Sequence, residues 1–268
     1  MDDEKIIKPQ GDPVTPIPSA SILIVRPAPA GTEIFMVLRN PKADFAAGAL
    51  VFPGGKIDGH DATPQLRDYC LGAEGLSDEQ FVGKVAAIRE TFEESGILYG
   101  KRQTSDQLLS PEEVELISHY REQLNKGEVT LLEFLQREKL FLTLDRLHAW
   151  GNFITPEMAP KRYDTYFYLA VVPDGQNAMH DGDEHVSSLW MSTQDILTAV
   201  ETRQYIIVLA THMNVLKLHN AGDLNAAIEL AALQKIYTVT PQVIERAGEI
   251  ILRIPSEAGY GVLERPWV

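Results

Sequence analysis

Apolar residues follow two rhythms along the chain, and the change between them marks out the elements. Ala20-Ser21-Ile22-Leu23-Ile24-Val25 is a β-branched apolar block closed by Arg26-Pro27, and Glu33-Ile34-Phe35-Met36-Val37-Leu38 is a second block beyond a turn at Gly31. Blocks of this length bounded by turn residues predict neighbouring strands. Ala49-Leu50-Val51-Phe52 predicts a third, stopped by Pro53-Gly54-Gly55. From Ser77 to about Ser95 the rhythm changes: Phe81, Val85, Ile88 and Phe92 recur at steps of three and four, the period of a helix, with Gly96 in the C-cap place.

Ser110-Pro111-Glu112-Glu113 is a helix start, with serine as cap, proline at the first position and acids in the first turn. It opens a helical stretch to about Leu124, and another runs from about Leu131 to Glu138. Strand character returns at Leu147–Trp150, Tyr163–Val172 and Val186–Met191, and helices are expected from Ser192 and over Asp223–Leu233. Residues 1–18 are polar and broken by prolines, which predicts a loose arm. The expectation is one α/β (α+β) domain over 19–268, with insertions at about 58–80 and 104–142 and no internal repeat.

Charge narrows the range of partners. Twenty-four basic against thirty-eight acidic residues give −14, which excludes a phosphate-gripping nucleic-acid binder and a basic face for anionic lipid. A phosphorylated small molecule stays possible if a cation offsets its charge. Much of the acidity is local: residues 74–94 hold six acids against two bases, and the loop Asp174–His185 holds four acids and no Lys or Arg. The single cysteine, Cys70, excludes an internal disulfide. Apolar runs such as Ile206–Ala210 fall far short of the ~20 residues a membrane helix needs, so a cytoplasmic protein without membrane or nucleic-acid partners is expected.

The chemistry concentrates in Arg89-Glu90-Thr91-Phe92-Glu93-Glu94-Ser95-Gly96-Ile97. On a helix, Glu90, Glu93 and Glu94 share one face. Their like charges repel unless something cationic sits among them. Arg89 reaches Glu93 one turn on, which leaves Glu90 and Glu94 placed to share hard divalent cations through oxygen. A lone Glu pair is usually a solvated face. Here the opposite side of the helix is apolar and so buried, and the Gly54-Gly55 turn upstream lets backbone approach a metal or phosphate closely.

These residues resemble a known family. Arg89 to Ile97 is similar to the core of the Nudix box, R-E-U-x-E-E-x-G-U with U apolar, and Phe52-Pro53-Gly54-Gly55-Lys56 is similar to the glycine turn that opens it. The resemblance implies a Nudix-type α/β/α sandwich with a mixed sheet and helical insertions, its catalytic helix running from roughly Asp78 to Ser95. It implies Mg²⁺ or Mn²⁺ held by Glu90, Glu94 and the Gly55 carbonyl, with Glu93 held by Arg89. The implied reaction is attack of water on one phosphorus of a nucleoside diphosphate linked to a group X. Glu184 in the acidic loop, ahead of Asp183, is the downstream candidate for a further ligand or a general base.

The spacing departs from the family. The box places its leading glycine fourteen residues before the arginine, whereas Gly55 stands thirty-four before Arg89, an excess of twenty. The remaining box glutamate, eight before the arginine, falls on Phe81, with Asp78 and Glu79 as candidate substitutes. Trp150-Gly151-Asn152-Phe153-Ile154-Thr155-Pro156, Arg162 to Phe167, and Glu184 to Trp190 resemble the acyl-coenzyme A diphosphatase branch, which makes coenzyme A or acyl-coenzyme A the expected substrate. Arg39, Lys56 and Arg162 are the expected partners of further phosphates. Trp150, Tyr163 and Tyr166 are candidates to stack on a base. The rival readings are an ADP-ribose or nucleotide-sugar diphosphatase, and a non-catalytic ligand-binding module, although the latter predicts a degraded box. The helical insertion is read as a cap over the site or as a homodimer contact.

Overall fold

The computed structural model describes residues 4–29, 31–42, 46–180, 182, 185–261 and 264–267. A short β1 (Lys5–Ile7) precedes the long β2 (Ile17–Ala28) and β3 (Gly31–Arg39), then the fragments β4 (Leu50–Val51) and β5 (Gly54–Lys56). Two 3-10 turns and β6 (Cys70–Leu71) lead into helix α1 (Asp78–Ser95). After β7 (Gly100–Arg102) come α2 (Pro111–Leu116), α3 (Tyr120–Asn125), α4 (Leu131–Glu138) and β8 (Leu140–Thr143). The chain continues through β9 (His148–Ile154), β10 (Tyr163–Val171), β11 (His185–Ser192), α5 (Thr193–Glu201), α6 (Leu209–Asn220) and α7 (Leu224–Leu233). It closes with β12 (Thr238–Val239), β13 (Gln242–Arg246), β14 (Glu249–Arg253) and β15 (Glu264–Pro266).

The main sheet runs β11-β3-β2-β10-β9-β12, with β4 on β3 and β5 on β2. It is mixed, because β10 runs parallel to β2 and β12 parallel to β9 while the other pairs are antiparallel. β2 lies inside this sheet and is buried continuously from Ser19 to Val25, which is why its sequence is an unbroken apolar run rather than an alternation. Alternate residues still part to two cores. Ile22 and Ile24 pack with Val85, Ile88 and Phe92 of α1, whereas Leu23 and Val25 pack with Ile196 of α5 and Met213 and Leu218 of α6. Each such side chain contributes about 1.5–3 kcal/mol on burial, and the result is the expected sandwich of helices on both faces of the sheet.

Helix α1 starts with the Ser77 capping box and ends at Gly96, whose φ of 73° is left-handed. The inserted helices α2 to α4 pack on its flank; Phe92 stacks on Phe134 at 5.6 Å. That insertion also holds strand structure the sequence does not announce: β8 pairs with β7 and β6 in a small sheet of its own. The stretch to Leu124 is two helices broken at 117–119 rather than one.

The N-terminal segment is not a loose arm throughout. β1 pairs antiparallel with β13, Lys5 opposite Glu245, within the four-stranded sheet β1-β13-β14-β15. Glu4 bonds Arg246 and Arg253, which also bond Glu264. The partner strand lies far along the chain, so no local pattern in residues 1–18 could reveal it. Among the described residues, no helix is long and apolar enough to cross a membrane.

Candidate active site

β5 crosses the edge of β2 with Gly55 opposite Ala20 and Gly54 opposite Ser21. This lays the glycine turn along α1. Gly54 has φ 150°, and a Cβ there would meet the Ala20 carbonyl at 2.4 Å, so the position admits only glycine. A Cβ on Gly55 would lie 2.4–2.7 Å from the Glu90 carboxylate, so Glu90 fills the space that a missing side chain leaves. The Gly54 amide donates to Glu94 Oε2 at 2.7 Å, and His185 Nε2 stands 3.9 Å from Glu94 Oε1. Glycine turn and acidic helix are thus one unit.

Arg89 organises the carboxylates. Its short bonds run to a residue the sequence reading passes over: Nε and one terminal nitrogen each reach Asp61 at 2.8 Å, a bidentate pair with Asp61 fully buried. The other terminal nitrogen donates to Glu90 at 2.8 Å, and Glu93 lies further off at 3.3 Å. The Lys56 carbonyl accepts a further bond. Desolvation works against the guanidinium charge, but the Asp61 bonds and the fields of Glu90, Asp61 and Glu93 outweigh it and raise the Arg89 pKa. Burial is the largest effect on Glu93 and pushes its carboxyl up to about 7, with Arg89 pulling the other way.

This unit opens on a cavity of about 1200 Å³. Gly54, Gly55, Lys56 and Glu90 form one part of its lining, and Phe153, Phe167, Leu209 and Leu252 form an apolar part. Among the described residues, Arg39, Lys42, Lys56, Lys161, Arg203 and Arg265 line it against two acids, Glu90 and Glu201. Within an acidic protein, the cavity has an excess of basic groups.

Arg39, Lys56 and Tyr163, candidate partners of phosphate or base, lie on the cavity wall. Arg162 does not. It is buried, and its guanidinium bonds the backbone carbonyls of Thr155 and Val14, which ties the N-terminal segment to β10 and occupies the group expected to meet phosphate. Trp150 is fully buried in the core that α5 and α6 share with the sheet, its indole donating to the Asn214 carbonyl. It does not line the cavity. Tyr166 points to the α1 side and donates to Glu79 at 2.6 Å. On β10 it is Tyr163, Thr165 and Phe167 that face the cavity, and the even-numbered tyrosines face away, as strand alternation demands. Asp78 pairs with Arg67, so neither it nor Glu79 meets Arg89. Glu184 and Asp183 lie outside the described residues. The loop before them is docked on the end of α1, with Met179 N–H on the Ser95 carbonyl and Gln176 bonded to Leu98 and Leu109.

Comparison with known proteins decides the family. The NUDT19 Nudix domain model matches residues 73–216. The chain belongs to this Nudix hydrolase family. Nudix hydrolase 7 of Caenorhabditis elegans is 26% identical over 220 residues, 82% of this chain and 66% of that protein. Acyl-coenzyme A diphosphatase NUDT19 of Xenopus laevis is 24% identical over 203 residues, 60% of this chain and 53% of that protein. The match thus spans about half to two-thirds of the length of these relatives. A crystal structure of a Nudix hydrolase from Alicyclobacillus acidocaldarius superposes with a TM-score of 0.69 at 26% identity, covering 80% of this chain and 96% of that one.

The Nudix spacing explains Asp61. Counted back from Arg89, the box glutamate falls on Phe81; counted forward from Gly55, it falls six residues on, at Asp61. The twenty extra residues of this Nudix chain therefore lie between Asp61 and Arg89, and the 3-10 turns and β6 fold them so that the pair still closes. The expected insertion at 58–80 shifts accordingly. Nudix hydrolases generally use divalent metals, and the oxygen donors here suit a hard ion: the Glu90 and Glu94 carboxylates against a glycine turn. Among the described residues, no three Asp, Glu, His or Cys side chains form a cage of their own.

Proposed function

We propose that this Nudix hydrolase cleaves the diphosphate linkage of coenzyme A or acyl-coenzyme A, with Mg²⁺ or Mn²⁺ bound at Glu90, Glu94 and the Gly55 carbonyl. The observation that carries the reading is the cavity, which brings Glu90 and Gly55, basic side chains and apolar side chains into one space of about 1200 Å³. A coenzyme A-type molecule calls for the same three surroundings: a diphosphate in the middle, a phosphorylated nucleoside on one side of it and a long, largely uncharged arm on the other. The relatives named as acyl-coenzyme A diphosphatases support the same reading.

When bound, the ion supplies Lewis-acid stabilisation of the charge that develops on the diphosphate oxygens and a nucleophile of lowered pKa. The protein's own residues do the positioning. Arg89, fixed by Asp61, orients Glu90, and the Gly54 amide orients Glu94. Arg39 and Lys56 meet phosphate oxygens, and Tyr163 offers a ring for a base. Glu93 and Glu184 are the carboxylates proposed to take the proton from the attacking water. Replacing Glu94 with Gln tests the assignment, since metal-dependent hydrolysis should be lost while the fold, followed by circular dichroism, persists. Unchanged rates would remove Glu94 from the site.

A further inference from the structure

The cavity is not closed by the Nudix fold alone. The matched family domain ends at 216, yet Leu252 of β14, Arg265 and Pro266 of β15, and Trp267 all line the cavity. The sheet that carries them is built to present one face inward. In the β14–β15 ladder Leu252 stands opposite Arg265 and Arg253 opposite Glu264. Alternation along each strand sends the first pair to the cavity, and the second pair joins Glu4 and Arg246 in the ion network on the outer face. The Trp267 amide is fixed to the Ile250 carbonyl at 2.9 Å, so the indole continues this wall.

The Pro241 side of the cavity lies well beyond the reach of a diphosphate. A continuous line of register runs from Gly55 through Ala20, Tyr166 and Asn152 to Thr238 of β12. Four inter-strand steps of ~4.8 Å place β12, and with it the Pro241 lining, roughly 19 Å from the glycine turn. A chamber of that length, whose C-terminal wall sets Leu252, Pro266 and Trp267 beside the single basic group of Arg265, suits an extended and largely apolar chain.

We propose that the C-terminal sheet sets the length and polarity of X: Trp267 and Leu252 form the contact surface for the far, apolar part of a nucleoside diphosphate derivative whose diphosphate lies at Glu90. The assignment rests on the diphosphatase reading for the near end of the cavity. It adds specificity-determining residues from outside the matched domain.

The test uses adenosine 5′-diphosphate carrying an ethyl, octyl or dodecyl ester on the terminal phosphate, with Mg²⁺ and the full chain. In the unaltered protein, kcat/KM should rise from ethyl to dodecyl. In Trp267→Ala, the ratio of dodecyl to ethyl should fall about tenfold, the loss expected for exposing much of an aromatic contact. Trp267 is 40% exposed, so the variant should fold. A ratio that stays the same in the variant overturns the proposal. Hydrogen exchange gives a readout independent of turnover: with Ca²⁺ in place of Mg²⁺, dodecyl ester should slow exchange across 250–254 and 264–267 more than ethyl ester does. Equal protection by both esters also overturns it. If no ester is hydrolysed by the unaltered protein, the diphosphatase reading fails, and the exchange result still decides the wall.

Discussion

Asp61 and Arg89 stand twenty-eight residues apart and meet through two bonds of 2.8 Å, carboxylate to guanidinium, with Asp61 fully buried. The pair joins the glycine turn to the acidic helix across the inserted segment. It is the feature on which the geometry of Glu90 depends, because the third arm of the same guanidinium holds that carboxylate.

Removing the acid should therefore be costly. Asp61→Asn leaves a largely buried guanidinium short of its main counter-charge, a loss on the order of 3–5 kcal/mol. A chain of this size should lose roughly 10 °C in Tm. Asp61→Glu, which restores the charge found in the family at this place, should recover most of the activity. Calorimetry together with turnover checks both; a Tm within error of the unaltered protein would show that Arg89 has adequate partners without Asp61.

Gly55→Ala should separate activity from stability. The added methyl meets only the tip of the flexible Glu90 side chain, which can swing away. The melting temperature should hardly change, but a displaced ligand group should lower kcat by about 100-fold, the usual cost of an ångström of misplacement. Retained turnover would mean that Glu90 does not act from the position it occupies here.

Arg162 separates a structural role from a substrate-binding one. Its two bonds to backbone carbonyls are charge-assisted and worth about 1.5–3 kcal/mol each. Arg162→Met should lower stability in urea unfolding and leave KM for the substrate as it was. A raised KM with unchanged stability would return Arg162 to the role that its sequence neighbourhood suggests.

Acid should loosen the wall that carries Arg265. His212 is buried beside Arg265, and desolvation, aided by that guanidinium, pulls its pKa from the ordinary 6.5 down to about 4. The unfolded chain thus binds a proton that the folded one refuses between pH 6.5 and 4. Stability from this group is fully present above 6.5 and is lost as pH falls towards 4. His212→Gln should flatten that part of the stability–pH curve in denaturant titrations, and an unchanged curve would place the pH dependence elsewhere.

What could be read in the sequence follows from how local each signal is. α1, its Gly96 stop and the β2–β3 hairpin rest on patterns a few residues long, and they stand as the spacing predicts. β1 gives no such signal, because the strand it pairs with, β13, lies at the other end of the chain. Tyr163 and Tyr166 look alike as candidates until the strand's parity is known, and parity depends on which face the core takes. Arg162 is paired with carbonyls, which every residue has, so no sequence pattern marks it. Asp61 was within reach: measuring the box from its glycine end as well as its arginine end gives the position directly.

The most direct test of the account is hydrolysis of an acyl-coenzyme A in heavy-oxygen water with Mg²⁺, with the products identified by mass. The expected products are adenosine 3′,5′-bisphosphate and an acylated phosphopantetheine, with one heavy oxygen on one of the two new phosphates, and Glu94→Gln should show no reaction. An intact diphosphate, or release of only the acyl group, would contradict it.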